Sequence, residues 1–146
     1  MSKYISIKLV EATSTTNVIP GPNAKNGYFV TDEYGNCAHY NESAFKKHHL
    51  KLEDNKELSS GVSISSEMVK NFIDSYEVIE RGKKTTIVHA KLKNGFCITE
   101  SSSCVDPANY DLEIGIQCCL ERIENKIWEL LGFLLQSAYK GVGSDD

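Results

Sequence analysis

Thr85-Thr-Ile-Val-His-Ala-Lys-Leu-Lys-Asn-Gly-Phe-Cys-Ile-Thr-Glu-Ser101 is the stretch that decides the fold. Two alternating runs flank Asn94-Gly95, and Asn-Gly between alternating strands is among the strongest short hairpin signals because both residues tolerate positive φ. Upstream, Tyr76 to Glu80 alternates too and is joined by a turn around Gly82. The expectation is a three-stranded antiparallel meander over Tyr76 to Glu80, Thr85 to Lys91 and Phe96 to Ser101.

The flanks complete an α+β unit. Before the meander, Ser65 or Ser66 can cap a short helix that carries Met68, Val69, Phe72 and Ile73. After it, Leu112, Ile116, Cys119, Leu120, Ile123, Ile127, Leu130, Leu131 and Leu134 recur at spacings of three and four. That pattern predicts one amphipathic helix from about Asp111 to Tyr139, with Trp128 and Leu135 widening its apolar stripe. At roughly 1.5 Å per residue the helix spans about 40 Å, more than three strands cover, so the overhang predicts a homo-oligomer through this helix. Asp106-Pro107 initiates this region, since proline fits the first turn of a helix and aspartate is a favoured cap.

The first half reads as a β-β-β-α unit. Tyr4, Ile5, Ile7, Leu9 and Val10 give a period-2 strand, and Thr13 to Asn26, with Pro20-Gly-Pro-Asn23, carries loop chemistry. Gly27 to Thr31 and Cys37 to Tyr40 then flank a hairpin turn in which Gly35 is free to take positive φ. Asn41 is a candidate cap for a helix in which Phe45 and Leu50 face inward and Lys46, Lys47, His48 and His49 crowd the last turns, where cations suit the macrodipole. Between the halves, Lys51 to Gly61 is polar, with a charged Glu53 to Glu57 run and a Ser59-Ser-Gly61 breaker.

Composition removes several function classes. The 146 residues suit one ordinary domain or two small units, and 16 basic against 20 acidic residues leave a formal charge of −4. Duplex nucleic acid is a poor partner for such a chain, because many phosphates must be neutralised together. No stretch approaches the roughly 18 apolar residues of a membrane span, and the alternating Met1 to Val10 lacks the basic-then-apolar layout of a signal peptide. A protein that stays in the cytoplasm, away from the membrane, is expected. The 5 cysteines are odd in number and form no C-x-x-C pair, which suits reduced thiols rather than a disulfide framework.

Two blocks carry a family resemblance. Lys93-Asn-Gly-Phe-Cys-Ile-Thr-Glu-Ser-Ser-Ser-Cys-Val-Asp-Pro-Ala-Asn-Tyr-Asp-Leu-Glu-Ile-Gly115, followed by Lys126-Ile-Trp-Glu-Leu-Leu-Gly-Phe-Leu-Leu-Gln136, closely resembles the small tailed-phage proteins of the gene 49 / gene 66 family, over roughly residues 62 to 137. A second, weaker resemblance, over about residues 3 to 50, is to a short phage accessory module. Gly27-Tyr-Phe-Val, Tyr34-Gly-Asn, Tyr40 and Phe45 carry it, with Tyr40, Glu42 and Ser43 replacing the usual Trp, Pro and Lys. The implied organisation is a phage accessory module at 1–52, a linker at 53–61, a gene 49 / gene 66-like domain at 62–140 and a tail at 141–146. The resemblance implies a bacteriophage protein acting in the cytoplasm of the infected host, where such proteins counter antiphage defence. By analogy with other small phage proteins, one strategy is to act as a sponge for the nucleotide messengers of host immunity.

Charge placement suggests where a small anion would sit. Residues 81–99 carry Arg81, Lys83, Lys84, Lys91 and Lys93 and no acid, whereas residues 100–146 carry three cations and nine acids. A basic island on an acidic chain suits a concentrated anion, although lysines at hairpin turns also protect edge strands. The expected ligand site comprises Arg81, Lys83 and Lys84 on phosphate, Tyr40, Phe96 or Tyr110 stacking a base, and Ser102, Ser103 and Asn109 supplying polar contacts. Asx residues such as Asp106 and Asn109 also satisfy loop backbone groups. The rival reading is a protein-interaction module that inhibits a host protein.

Enzymatic and metal chemistry have weaker signals. Cys104, Asp106 and His89 are a nucleophile, an acid and a base without a local signature, and a small residue at a strand-to-helix junction explains Cys104 equally well. Cys97, Cys104, Cys118, Cys119, His39, His48, His49 and His89 follow no zinc spacing. The expectation is a non-enzymatic protein with no cofactor and no metal.

Overall fold

The computed structural model describes residues 1–15, 26–53 and 55–143. Its strands are β1 (Val10–Ser14), β2 (Gly27–Asp32), β3 (Cys37–Asn41), β4 (Ile73–Arg81), β5 (Thr85–Leu92) and β6 (Cys97–Ser103). Its helices are α1 (Glu42–His48), α2 (Ser66–Asn71) and α3 (Leu112–Lys140), with one 3-10 turn at Pro107–Asn109. The fold is α+β: two antiparallel three-stranded sheets, β1-β2-β3 and β4-β5-β6, the second followed by the long helix. The chain divides into two units, residues 1–52 with the helix end from Leu134, and Glu53–Phe133.

The second unit is organised by β5. Thr86, Val88, Ala90 and Leu92 alternate onto one face and are almost completely buried. Against them α3 lays Cys119, Ile123, Ile127 and Leu131, an i, i+4 line whose members are each 0–2% exposed, and Ile98 of β6 and Val69 of α2 close the cluster. Each buried Val, Leu or Ile of this cluster contributes roughly 1.5–3 kcal/mol relative to remaining in water. The buried line is narrower than the predicted stripe, because Leu130 and Leu134 stay 44% and 38% exposed and Trp128 39%. Ser65 caps α2 by accepting from the Met68 amide at 3.0 Å. At the other junction, Asp106 starts the 3-10 turn, and Asp111 is the cap of α3, its Oδ1 accepting from the Ile114 amide at 3.1 Å. The helix therefore starts at about Asp111 as expected, and Asp106-Pro107 initiates a separate 3-10 segment that closes at Tyr110 before the helical hydrogen bonding begins.

The helix approaches β5 closely only because residue 115 is glycine. A Cβ there would lie 2.7 Å from the Thr86 Cβ, and Thr86 is wholly buried. Gly132 of the same helix has nothing within 4 Å of such a Cβ. The two glycines therefore predict opposite signs on chemical denaturation. Gly115→Ala should destabilise by about 1–3 kcal/mol through overpacking, while Gly132→Ala should stabilise by about 0.5–1 kcal/mol through helix propensity.

Both meander turns use left-handed backbone, in different ways. Gly95 has φ 86° and donates to Leu92 O, while the Leu92 amide donates to Phe96 O, so the loop is the three-residue Lys93–Gly95 and not a two-residue Asn-Gly turn. Between β4 and β5, Gly82 (φ 61°) and Lys83 (φ 50°) are both left-handed, and Lys84 N–H donates to Arg81 O.

In the first unit, β1 starts at Val10 instead of covering residues 4 to 10. Tyr4 and Ile5 are 90% and 86% exposed, and the pairing begins with Val10 opposite Asp32, the last residue of β2. Alternation before Val10 has no strand to pair with. The expected loop from Thr13 also starts later, because Thr13 and Ser14 pair with Phe29 and Tyr28; Pro20 to Asn23 lies outside the described residues. Asn41 caps α1, accepting from the Ala44 amide at 2.8 Å. Phe45 is half-buried in a stack between Tyr28 (3.9 Å) and His49 (4.3 Å), whereas Leu50, expected inside, is 45% exposed beyond the end of α1.

Asp32 locks the β2–β3 turn. Its carboxylate accepts from the amides of Tyr34 and Asn36 and from the Asn36 side chain, and pairs with Lys8 at 2.7 Å. The Lys8 hydrogen bond, followed by that from Asn36, holds the carboxyl well below the usual carboxylate range. The folded state thus binds this proton more weakly than the unfolded chain. The stability from Asp32 is complete above the unfolded value near pH 4 and is lost as the pH falls through it towards the lower folded value. Thermal melts across about pH 7 to 2 should show this decline, and Asp32→Asn should start lower at neutral pH and fall less steeply.

Candidate functional site

The antiparallel register assembles one end of the second sheet. Arg81 pairs with Thr85 and Thr85 with Ser103, a single row across three strands, and Gly82 to Lys84 turns directly beyond it. Thr85 Oγ1 and Ser103 Oγ lie 2.7 Å apart. Only one of the two hydroxyl protons is used in that bond, so the pair keeps an O–H donor available. The Cys104 amide donates to Lys84 O, which fixes the end of β6 against the turn. Arg81, Lys83 and Lys84 are thus gathered beside two hydroxyls on an exposed edge of the fold.

The remaining expected site residues are distributed differently. Ser102 pairs with Thr86 and is half-buried on the face that carries α3. Tyr110 is on that face too, its hydroxyl 3.0 Å from the buried Thr86 Oγ1. Asn109 closes the 3-10 turn, donating its amide to Asp106 O, while Asp106 Oδ1 accepts from the Ala108 amide. Phe96 is 55% exposed at the far end of β5, about 23 Å away at roughly 3.3 Å per strand residue. Lys91 and Lys93 lie at that far end as well, so the basic island is two clusters. Tyr40 belongs to the first unit, where its ring meets His49 edge-on at 5.0 Å.

Tyr110 therefore has a structural partner that the sequence does not advertise. Its hydroxyl satisfies a fully buried Thr86 and ties the 104–111 segment to the sheet. Tyr110→Phe leaves that threonine without its side-chain partner and should cost about 1–3 kcal/mol in unfolding free energy. Urea titration measures this; an unchanged midpoint would remove the tethering role.

The thiol and imidazole groups are held apart. His89 lies in mid-strand on the face away from α3, with Nδ1 2.7 Å from Thr99 Oγ1. Cys104 follows the other end of the sheet. Cys119 is buried under α3 and donates weakly to Thr86 O at 3.7 Å; burial is the main cause pushing its thiol pKa up. No group of three His, Cys, Asp or Glu side chains able to hold a metal occurs among the described residues. No helix among them is long and apolar enough to cross a membrane.

One open cleft of about 390 Å³ lies at the β4 edge, lined by Lys70, Ile73, Asp74, Ser75, Tyr76, Leu120 and Glu124. It includes none of the expected ligand residues, and its two acids outnumber its one lysine. The sequence gives no sign of it, since it arises where Leu120 and Glu124 of α3 come beside residues 73–76 of β4.

Residues 63–139 match the family model described as Phage protein (N4 Gp49/phage Sf6 gene 66) family. The match spans α2, the second sheet and nearly all of α3. No curated protein and no solved structure matches the chain.

Proposed function

As the chain belongs to the phage protein (N4 Gp49/phage Sf6 gene 66) family, we propose that it is a non-enzymatic phage protein that binds a small anionic ligand at the β4–β5 turn. The ligand class is a phosphate-bearing nucleotide of the kind host immunity uses as a messenger. Binding in the cytoplasm of the infected bacterium withholds it from its receptor and so counters host defence.

The observation that carries this reading is Lys83. Among the described residues it is the only non-glycine with positive φ, at 50°. A left-handed conformation costs an ordinary L-residue roughly 1–2 kcal/mol, and glycine or asparagine takes it at lower cost. A strained position that retains a long cationic side chain is a pointer to function. Lys84 and Arg81 flank it, and the Thr85–Ser103 hydroxyl pair lies in the adjoining row, so charge and hydrogen-bond donors for a phosphate group are in one place.

Calorimetric titration with a panel of cyclic, linear and ADP-ribose-type nucleotides tests the proposal. One class should bind with an affinity that weakens as salt rises, because the site is exposed and screened. Lys83→Asn should weaken binding about tenfold or more while raising stability by up to about 1 kcal/mol, as the backbone strain is relieved. Absence of binding to every nucleotide in the panel overturns the reading, as does a Lys83→Asn variant with unaltered affinity.

A further inference from the structure

The second sheet has two edges, and the chain treats them differently. The Leu92–Phe96 and Lys84–Cys104 hydrogen bonds fix which residues of β5 and β6 point their backbone groups at each other. Even-numbered residues of both strands face one another, and odd-numbered residues of β5 face β4. The outward groups of β6 therefore belong to Cys97, Thr99, Ser101 and Ser103. Of these, Ser101 O accepts from Arg122 Nη1 at 2.5 Å, so α3 reaches over the middle of that edge.

On β4, past the irregularity at Ile73/Ser75, the outward amides and carbonyls belong to Tyr76, Val78 and Glu80. No backbone hydrogen bond among the described residues reaches Tyr76, Val78 or Glu80 from outside the sheet. The strand is nine residues long and exposed from Asp74 to Arg81, with Tyr76 48%, Val78 37% and Ile79 39% exposed. It carries no proline or lysine, its charges being Asp74, Glu77, Glu80 and Arg81, and its irregularity lies at Ile73/Ser75, leaving the centre regular. Tyr76 and Val78 are on the α3 side of the sheet but beyond the helix, next to the open cleft.

We propose that β4 pairs antiparallel with β4 of a second copy of this chain, joining two sheets into one of six strands with both α3 helices on the same face. Hydrogen-bonded pairing requires outward-pointing residues to meet, so only registers that match even with even numbers are possible, and these keep Tyr76 and Val78 of both copies on one face. Charge selects among them. A centre at Glu77 gives the longest overlap but sets Glu77 against its own copy and Asp74 against Glu80 twice, which is repulsive. A centre at Tyr76 runs into the Ile73/Ser75 irregularity and sets Val78 against Asp74. A centre at Ile79 pairs only residues 77–81 and leaves Tyr76 outside.

A centre at Val78 avoids the direct like-charge pairs and leaves only the diagonal of Asp74 with the partner's Glu80 repulsive. Val78 meets the partner's Val78, Tyr76 meets the partner's Glu80, Ile79 covers the stem of the partner's Glu77, and Ser75 meets the partner's Arg81. Arg81 then lies diagonal to the partner's Glu77, a favourable pair. Two-fold symmetry uses up the β4 edge of both chains, so this pairing closes at two copies. The pairing does not depend on ligand binding at the β4–β5 turn.

Light scattering on the full chain, coupled to size-exclusion chromatography, should give the mass of two chains. Val78→Pro removes an N–H that the chain's own sheet does not use and should halve that mass to one chain, with the far-UV circular dichroism spectrum retained. Single-cysteine additions test the register even if that variant does not fold. Under mild oxidation Val78→Cys should give a crosslinked dimer on a non-reducing gel faster than Glu77→Cys or Ile79→Cys, because only the residue on the two-fold axis meets itself. A monomeric parent chain, or a dimer that survives Val78→Pro, overturns the proposal; preferential crosslinking at 77 or 79 overturns the register.

Discussion

The contact of α3 with β5 governs the rest of the second unit. Gly115 lets the helix backbone reach Thr86, and from that point the i, i+4 line through Cys119, Ile123, Ile127 and Leu131 follows the buried face of the strand. A helix line of this kind is inclined to the helix axis, so α3 crosses the sheet at an angle. Coverage is consequently uneven. Arg122 and Lys126 reach Ser101 and Glu100 on β6, whereas Tyr76 and Val78 of β4 stay exposed on the same face. The open cleft beside β4 and the reach of Arg122 to the β6 edge both follow from that crossing.

The same contact determines which polar groups are free to act. Thr86 is buried by the helix and must be satisfied, and the Tyr110 hydroxyl does so. Tyr110 is thereby committed to the fold, and the 104–111 segment is held where Asp111 can cap the helix. Among the described residues of the second unit, no helix packs on the opposite face of the sheet. There the row Arg81, Thr85 and Ser103 can keep its cation and hydroxyls in water, next to a turn whose backbone is strained at Lys83. A charged group is cheap to keep on such a face and costly on the other.

How much of this is legible in the sequence depends on whether the deciding interaction is local. The three meander strands, the short helix capped by Ser65 and the long helix are visible because periodicity and capping residues act within a few positions. Residues 4 to 9 alternate as a strand does, yet pairing depends on where β2 ends, and that is set by Asp32 and its turn. Asp106-Pro107 and Asp111 both carry a helix-start signal, and the 3-10 turn at Pro107–Asn109 decides between them. The exposure of Leu130 and Leu134 could not be read from spacing, since a stripe says which residues share a side of the helix, not how far its partner extends.

The charge distribution shows the same limit most clearly. Residues 81–99 are a continuous basic run in sequence, but β5 carries the chain from one end of the sheet to the other. Arg81, Lys83 and Lys84 end up at one end, Lys91 and Lys93 with Phe96 at the other, about 23 Å apart at roughly 3.3 Å per residue. That separation exceeds twice the screening length of about 8 Å at physiological salt, so the two clusters do not add into one field. The first turn therefore carries three cations of its own, and it is the compactness of that turn, not the total charge of the run, that concentrates them.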